Sequence, residues 1–135
     1  MRARRRRSGG SAVEQALIAP VLLVLLVAGF EYGWTMFRVH QIEAFARQAG
    51  RIAAATPVDD DPEAVFTTEF EERMVSSGLG SDGLSITTVI DGEAPEATLE
   101  VAIQLEWGGL TGLIPTPESL SVNYSTWLED QARRI

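Results

Sequence analysis

The chain has 135 residues, no cysteine, one histidine and a formal net charge of −8. That is room for one small domain beside one membrane-length segment, with no disulfide framework, no thiolate nucleophile and no cysteine-based zinc site. Every basic residue is arginine; five of the eleven precede residue 9, leaving six arginines against nineteen acids, a net −13, on the remainder, and so acidic a body repels phosphate backbones and argues against nucleic-acid binding.

Arg2, Arg4, Arg5, Arg6 and Arg7 stand before Ser8-Gly9-Gly10-Ser11-Ala12-Val13-Glu14, and an uncharged run from Gln15 to Phe30 follows. Crossing the hydrocarbon core takes about 20 helical residues. The sixteen of the uncharged run become 23 when continued through Phe37, with Glu31 inside. An arginine cluster beside an apolar helix is a topology signal: it stays in the cytoplasm and sends everything after about residue 38 outside. Glu31 sits near the exit, where a carboxylate can reach headgroups, and Tyr32 and Trp34 suit the aromatic belt, so these three are assigned to the membrane interface. Pro20 removes one backbone donor and should kink the helix or loosen one turn, which membrane helices tolerate. A removable secretory signal is disfavoured by Glu14 between the arginines and the apolar core and by the lack of an A-x-A site.

The helix continues outward. Val39, Ile42, Phe45, Ala46, Ala49, Ile52 and Ala53 recur at three and four, with Glu43 and Arg47 at the favourable i, i+4 spacing, until Thr56-Pro57. From Ser11 to Ala55 this makes a rod of about 65 Å. Asp59-Asp60-Asp61-Pro62 resembles a metal cluster at first sight but reads better as a helix start, with Asp61 capping and Pro62 in the first position. A second helix spans 62–76, with Phe66, Phe70 and Met74 stacked at i+4, and Gly78-Leu79-Gly80 ends it. The period then changes to two: Leu84, Ile86 and Ile90 mark a first strand in which Thr88 breaks the apolar series, and Asp91-Gly92 is a turn. Leu99, Val101, Ile103, Leu105 and Trp107 alternate with wet positions in the clearest strand. Gly108 to Pro117 is a loop carrying Leu110, Leu113 and Ile114, and Leu120, Val122, Tyr124 and Thr126 form a third strand. Trp127 to Ile135 reads as a short charged tail. The fold class is α+β: a long N-terminal transmembrane helix, a second short helix and a small antiparallel sheet of about three strands packed on the projecting rod. The divisions are a basic leader at 1–9, a transmembrane helix at 10–37, its extension at 38–56 and a small extracytoplasmic domain at 57–135.

Catalytic machinery is missing from the sequence. His40 has no second histidine to pair with, and there is no P-loop spacing and no G-x-S-x-G elbow. The chain is therefore read as a non-enzyme, with no catalytic residue, no metal and no cofactor. Tyr32-Gly33-Trp34 and His40 are read as interface and packing residues, and Glu71-Glu72 as a solvated helix face.

Gly9-Gly10-Ser11-Ala12-Val13-Glu14, the apolar run with Pro20, and Phe30-Glu31-Tyr32-Gly33 together resemble the TadE-like family, pseudopilins or minor pilin-like proteins of tight-adherence type IVb pilus systems. The likeness covers about the first 50 residues; Gln15 departs from it, standing where the family usually has an aromatic residue. The resemblance implies cutting by a membrane aspartic prepilin peptidase after a glycine, leaving Glu at the fifth mature position. That puts the processing site between Gly9 and Gly10; a cut after Gly10 would make Glu14 fourth. Small residues let the backbone enter a protease site, and removal strips all five leader arginines. Glu14 becomes the assembly residue, a carboxylate that pairs with the freed amine of a neighbouring helix. Implied partners are membrane lipid, the prepilin peptidase, other pilin-like subunits and pilus assembly platform proteins. The implied location is the inner membrane, N-terminus cytoplasmic before processing and C-terminal domain outside, with a role in assembling the pilus or a related secretion apparatus. Two alternatives remain: an unprocessed single-pass protein with an extracytoplasmic interaction domain, and a secreted protein that begins near Glu31.

Overall fold

The computed structural model describes residues 8–57, 60–80, 82–92 and 97–128. The leader arginines, Asp59 and the tail beyond Leu128 lie outside the described residues. Helix α1 runs Ser8–Ala54, α2 Pro62–Ser76, and three strands follow: β1 Leu84–Asp91, β2 Thr98–Glu106 and β3 Ser119–Trp127. At ~1.5 Å per residue α1 is about 70 Å long, and the helix runs unbroken through Pro20.

α1 has two characters. From Ala12 to Leu26 every side chain is exposed, and no part of the most apolar window is covered by the other described residues. A helix apolar on all sides and bare of protein contacts suits lipid rather than water. Beyond Glu31 the apolar residues narrow to a stripe. Ile42, Ala46, Ala49 and Ala53 are buried, with Val39 and Phe45 at the margin, while Ile52, which the periodicity places on the stripe, is 37% exposed at its edge. Three alanines along this line let the sheet approach the helix axis closely. Closest of all is Gly50, where an added Cβ would lie 2.7 Å from the Tyr124 hydroxyl oxygen.

α2 packs across α1. Asp61 accepts a hydrogen bond from the Ala64 amide at 3.2 Å, with Pro62 in the first helical position, so Asp61 does cap a helix start as the sequence suggests. Phe66, Phe70 and Met74 are fully buried, while Glu71 and Glu72 face solvent. The helix ends in a Schellman arrangement: Gly78 has φ 72°, its amide donates to the Val75 carbonyl at 3.0 Å, and the Leu79 amide donates to the Met74 carbonyl at 3.2 Å.

The sheet is antiparallel in the order β1-β2-β3. Its inner face carries Leu99, Val101, Ile103 and Leu105 from β2 and Leu120 and Val122 from β3, closing the core against α1 and α2. β1 forms as the sequence suggests, with Thr88 on the half-buried face beside Leu84, Ile86 and Ile90. One sequence expectation needs correction. Trp127 is not tail but the last residue of β3, paired with Thr98.

Candidate functional site

The β2–β3 connection does not hang free. Its base is closed by the Trp107 amide donating to the Glu118 carbonyl at 2.8 Å, and its tip folds back onto α1 around Glu31. Both backbone amides of Leu110 and Thr111 donate to the Glu31 carboxylate, and the Thr111 hydroxyl donates to Oε2 at 2.9 Å. Successive N–H groups converging on one anion form a nest. Gly109 makes it possible: its φ of +75° suits glycine, and a Cβ there would run into the Glu31 carboxylate and lie 2.9 Å from Thr116 Oγ1.

Three further contacts fasten the clasp along one face of α1. Tyr32 donates its hydroxyl to the Pro115 carbonyl at 3.0 Å. Trp107 Nε1 donates to Thr35 Oγ1 at 3.1 Å, and Thr35 in turn donates to the Glu31 carbonyl at 2.9 Å. Arg38 donates to the Leu79 carbonyl at 3.1 Å and holds its guanidinium 5.4 Å from the centre of the Trp107 ring, a cation–π contact. Partial burial pulls the Arg38 pKa below its ordinary value, without discharging a guanidinium at any accessible pH.

This changes the reading of the helix exit. Glu31 is 0% exposed; its carboxylate turns into the protein rather than toward headgroups. A bare carboxylate beside an apolar helix is costly, and two amides and a hydroxyl satisfy it at the expense of a short loop. The sequence offered the carboxylate and the apolar loop but no sign that they meet, 79 residues apart. Tyr32 is exposed apart from its hydroxyl bond, and Trp34 is half buried with its ring 5.5 Å from that of Phe37. Contacts of the β2–β3 loop thus reach back along α1 as far as Glu31. His40 has a side chain that is 68% exposed, with Glu43 at 3.8 Å. Glu43 also pairs with Arg47 at 3.1 Å, as the spacing predicts.

At the other end, Gly9 and Gly10 lie in the first turn of α1. Gly10 is exposed with nothing within 4 Å of the place a Cβ would take. Glu14 is exposed, and among the described residues it makes no hydrogen bond or ion pair. Thus the two acids that bracket the apolar run differ: among the described residues Glu31 has partners and Glu14 has none.

No curated relative and no solved structure matches the chain. The family model described as TadE-like protein matches residues 9–51, so the glycine pair, Glu14, the apolar run and the clasped Glu31 all lie in a segment with the sequence pattern of the TadE-like family.

Proposed function

We propose that this chain is a membrane-anchored, pilin-like subunit, a minor pilin or pseudopilin, acting in the assembly of a tight-adherence type IVb pilus or a related secretion apparatus. The observation that carries the reading is the contrast along α1: an apolar stretch left uncovered by the other described residues, headed by an exposed Glu14 that has no partner among them, within the TadE-like segment. An acid at the head of a lipid-exposed helix is costly unless something neutralises it, and the amine of a neighbouring processed helix is suited to do so. The role is structural rather than catalytic, built on helix packing outside and a small acidic domain facing partners.

Processing between Gly9 and Gly10 fits the same reading. The glycines sit in the first helical turn, where they weaken it by about 0.5–1 kcal/mol each relative to alanine, so local unwinding into a protease site costs little. The five arginines leave with the leader, and the acidic outer domain remains.

The test is the N-terminus of the membrane-associated protein, measured by mass spectrometry in hosts with and without the prepilin peptidase. A peptidase-dependent start at Gly10 is the expected result. An intact arginine-rich leader in both hosts overturns the pilin-like reading and leaves an unprocessed anchor; a soluble product beginning near residue 31 overturns the anchor as well.

A further inference from the structure

We infer that the tip of the β2–β3 loop, Leu110 to Ile114, is a second membrane-contact element that inserts into the outer-leaflet surface beside the helix. The inference rests on the reading that α1 spans a membrane.

Depth is the first argument. Glu14 and Glu31 bracket the uncharged run, and the helix rise between them is about 25 Å at ~1.5 Å per residue. The hydrocarbon core is about 30 Å thick. With Glu14 at the inner boundary, Glu31 cannot clear the outer one, so whatever covers Glu31 lies at the depth where acyl chains meet headgroups.

The loop covers Glu31, and its course runs toward the membrane. Its base meets α1 at Thr35 through Trp107, its tip meets Glu31 through Leu110 and Thr111, and its return strand meets Tyr32 through Pro115. The apex is therefore the part of the outer domain nearest the apolar stretch.

The composition of the apex agrees. Leu110 is 50% exposed and Leu113 is 75% exposed, with Ile114 half buried between loop and solvent. No charged residue occurs from Trp107 to Pro117. Two exposed leucines on a charge-free loop, which is tied to the exposed Tyr32 of the helix through Pro115, extend the lipid-facing surface sideways. The carboxylate that would oppose insertion is sealed beneath the loop by its amides. Lipid is thus the occupant that matches chemistry and depth together.

The chain lacks cysteine, so single-cysteine variants of the full chain carry a nitroxide without background. Three positions are compared in vesicles of phosphatidylethanolamine and phosphatidylglycerol: Leu113→Cys at the loop, Leu22→Cys in mid-helix, and Ser121→Cys on β3, which lies beside Glu43 and Arg47. All three side chains are exposed, so none of these changes disturbs packing. The expected result is that the label at 113 collides with oxygen more and with a water-soluble nickel chelate severalfold less than the label at 121, approaching the values at 22. A label at 113 as accessible to nickel as that at 121, while 22 stays in lipid, overturns the loop inference and spares the membrane reading. Aqueous values at 22 as well overturn both. Protection of 113 from oxygen and nickel alike signals a protein neighbour, such as a second copy, and overturns lipid as the occupant.

Discussion

Glu31 and Glu14 are the same residue type on the same helix, and their neighbours give them different work. Replacing Glu31 by alanine leaves the amides of Leu110 and Thr111 and the Thr111 hydroxyl without their acceptor. An orphaned donor in a partly buried site costs about 1–3 kcal/mol, so Glu31→Ala should release the loop: amide hydrogen exchange at 110 and 111 accelerates while exchange in β2 stays slow. Glu31→Gln keeps one carbonyl oxygen and should fall between the two. Unchanged exchange in Glu31→Ala would mean that the clasp contributes nothing. Gly109→Ala reaches the same end from the other side, because the new methyl meets the carboxylate and alanine resists a φ of +75°. Gly50→Ala is a separate lesion. Its methyl meets the Tyr124 ring inside the core, an overpacking that costs about 1–3 kcal/mol, and it should lower the thermal midpoint in detergent micelles without touching the loop.

Among the elements, α2 tests how capping and backbone strain combine. Asp61 caps with its side chain while holding φ at 55°, a conformation that asparagine tolerates and alanine does not. Asp61→Asn should change stability by well under about 1 kcal/mol, whereas Asp61→Ala loses the cap, worth ~1 kcal/mol, and adds the left-handed penalty; unfolding of the detergent-solubilised protein distinguishes them. The order of these effects follows from local chemistry, and so did most of the elements. Alternation exposed β2 and β3, the i+4 ladder of Phe66, Phe70 and Met74 exposed α2, and the capping run fixed its start. Thr88 breaks the hydropathy pattern of β1 without breaking the strand, because a hydroxyl is tolerated on its half-buried face. The clasp was illegible for a deeper reason. Its donors are backbone amides, which every residue carries, and the contact joins positions 79 apart; only the Gly108-Gly109 pair and Thr111 hinted that the loop had a tight turn to make.

At the scale of the whole molecule, the two carboxylates divide its architecture. The outer domain is complete in one chain: its core closes between α1, α2 and the sheet, and its inward-facing acid is satisfied by its own loop. The apolar half of α1 is incomplete in one chain, with every side chain from Ala12 to Leu26 exposed and Glu14 unpartnered among the described residues. Stability and assembly should therefore separate genetically. Glu14→Ala removes no hydrogen bond or ion pair among the described residues, so its thermal midpoint in micelles should equal that of the wild type within error. Its co-purification with other pilin-like subunits from membranes should fall, because a buried acid that loses its place opposite an amine leaves that amine uncompensated, a loss of about 3–5 kcal/mol. Glu31→Ala should show the converse: a loosened outer domain in the isolated protein, with helix-to-helix association retained. If Glu14→Ala assembles as well as the wild type, the unpartnered acid is only a surface residue of the helix start, and the pairing of Glu14 with a neighbouring amine fails.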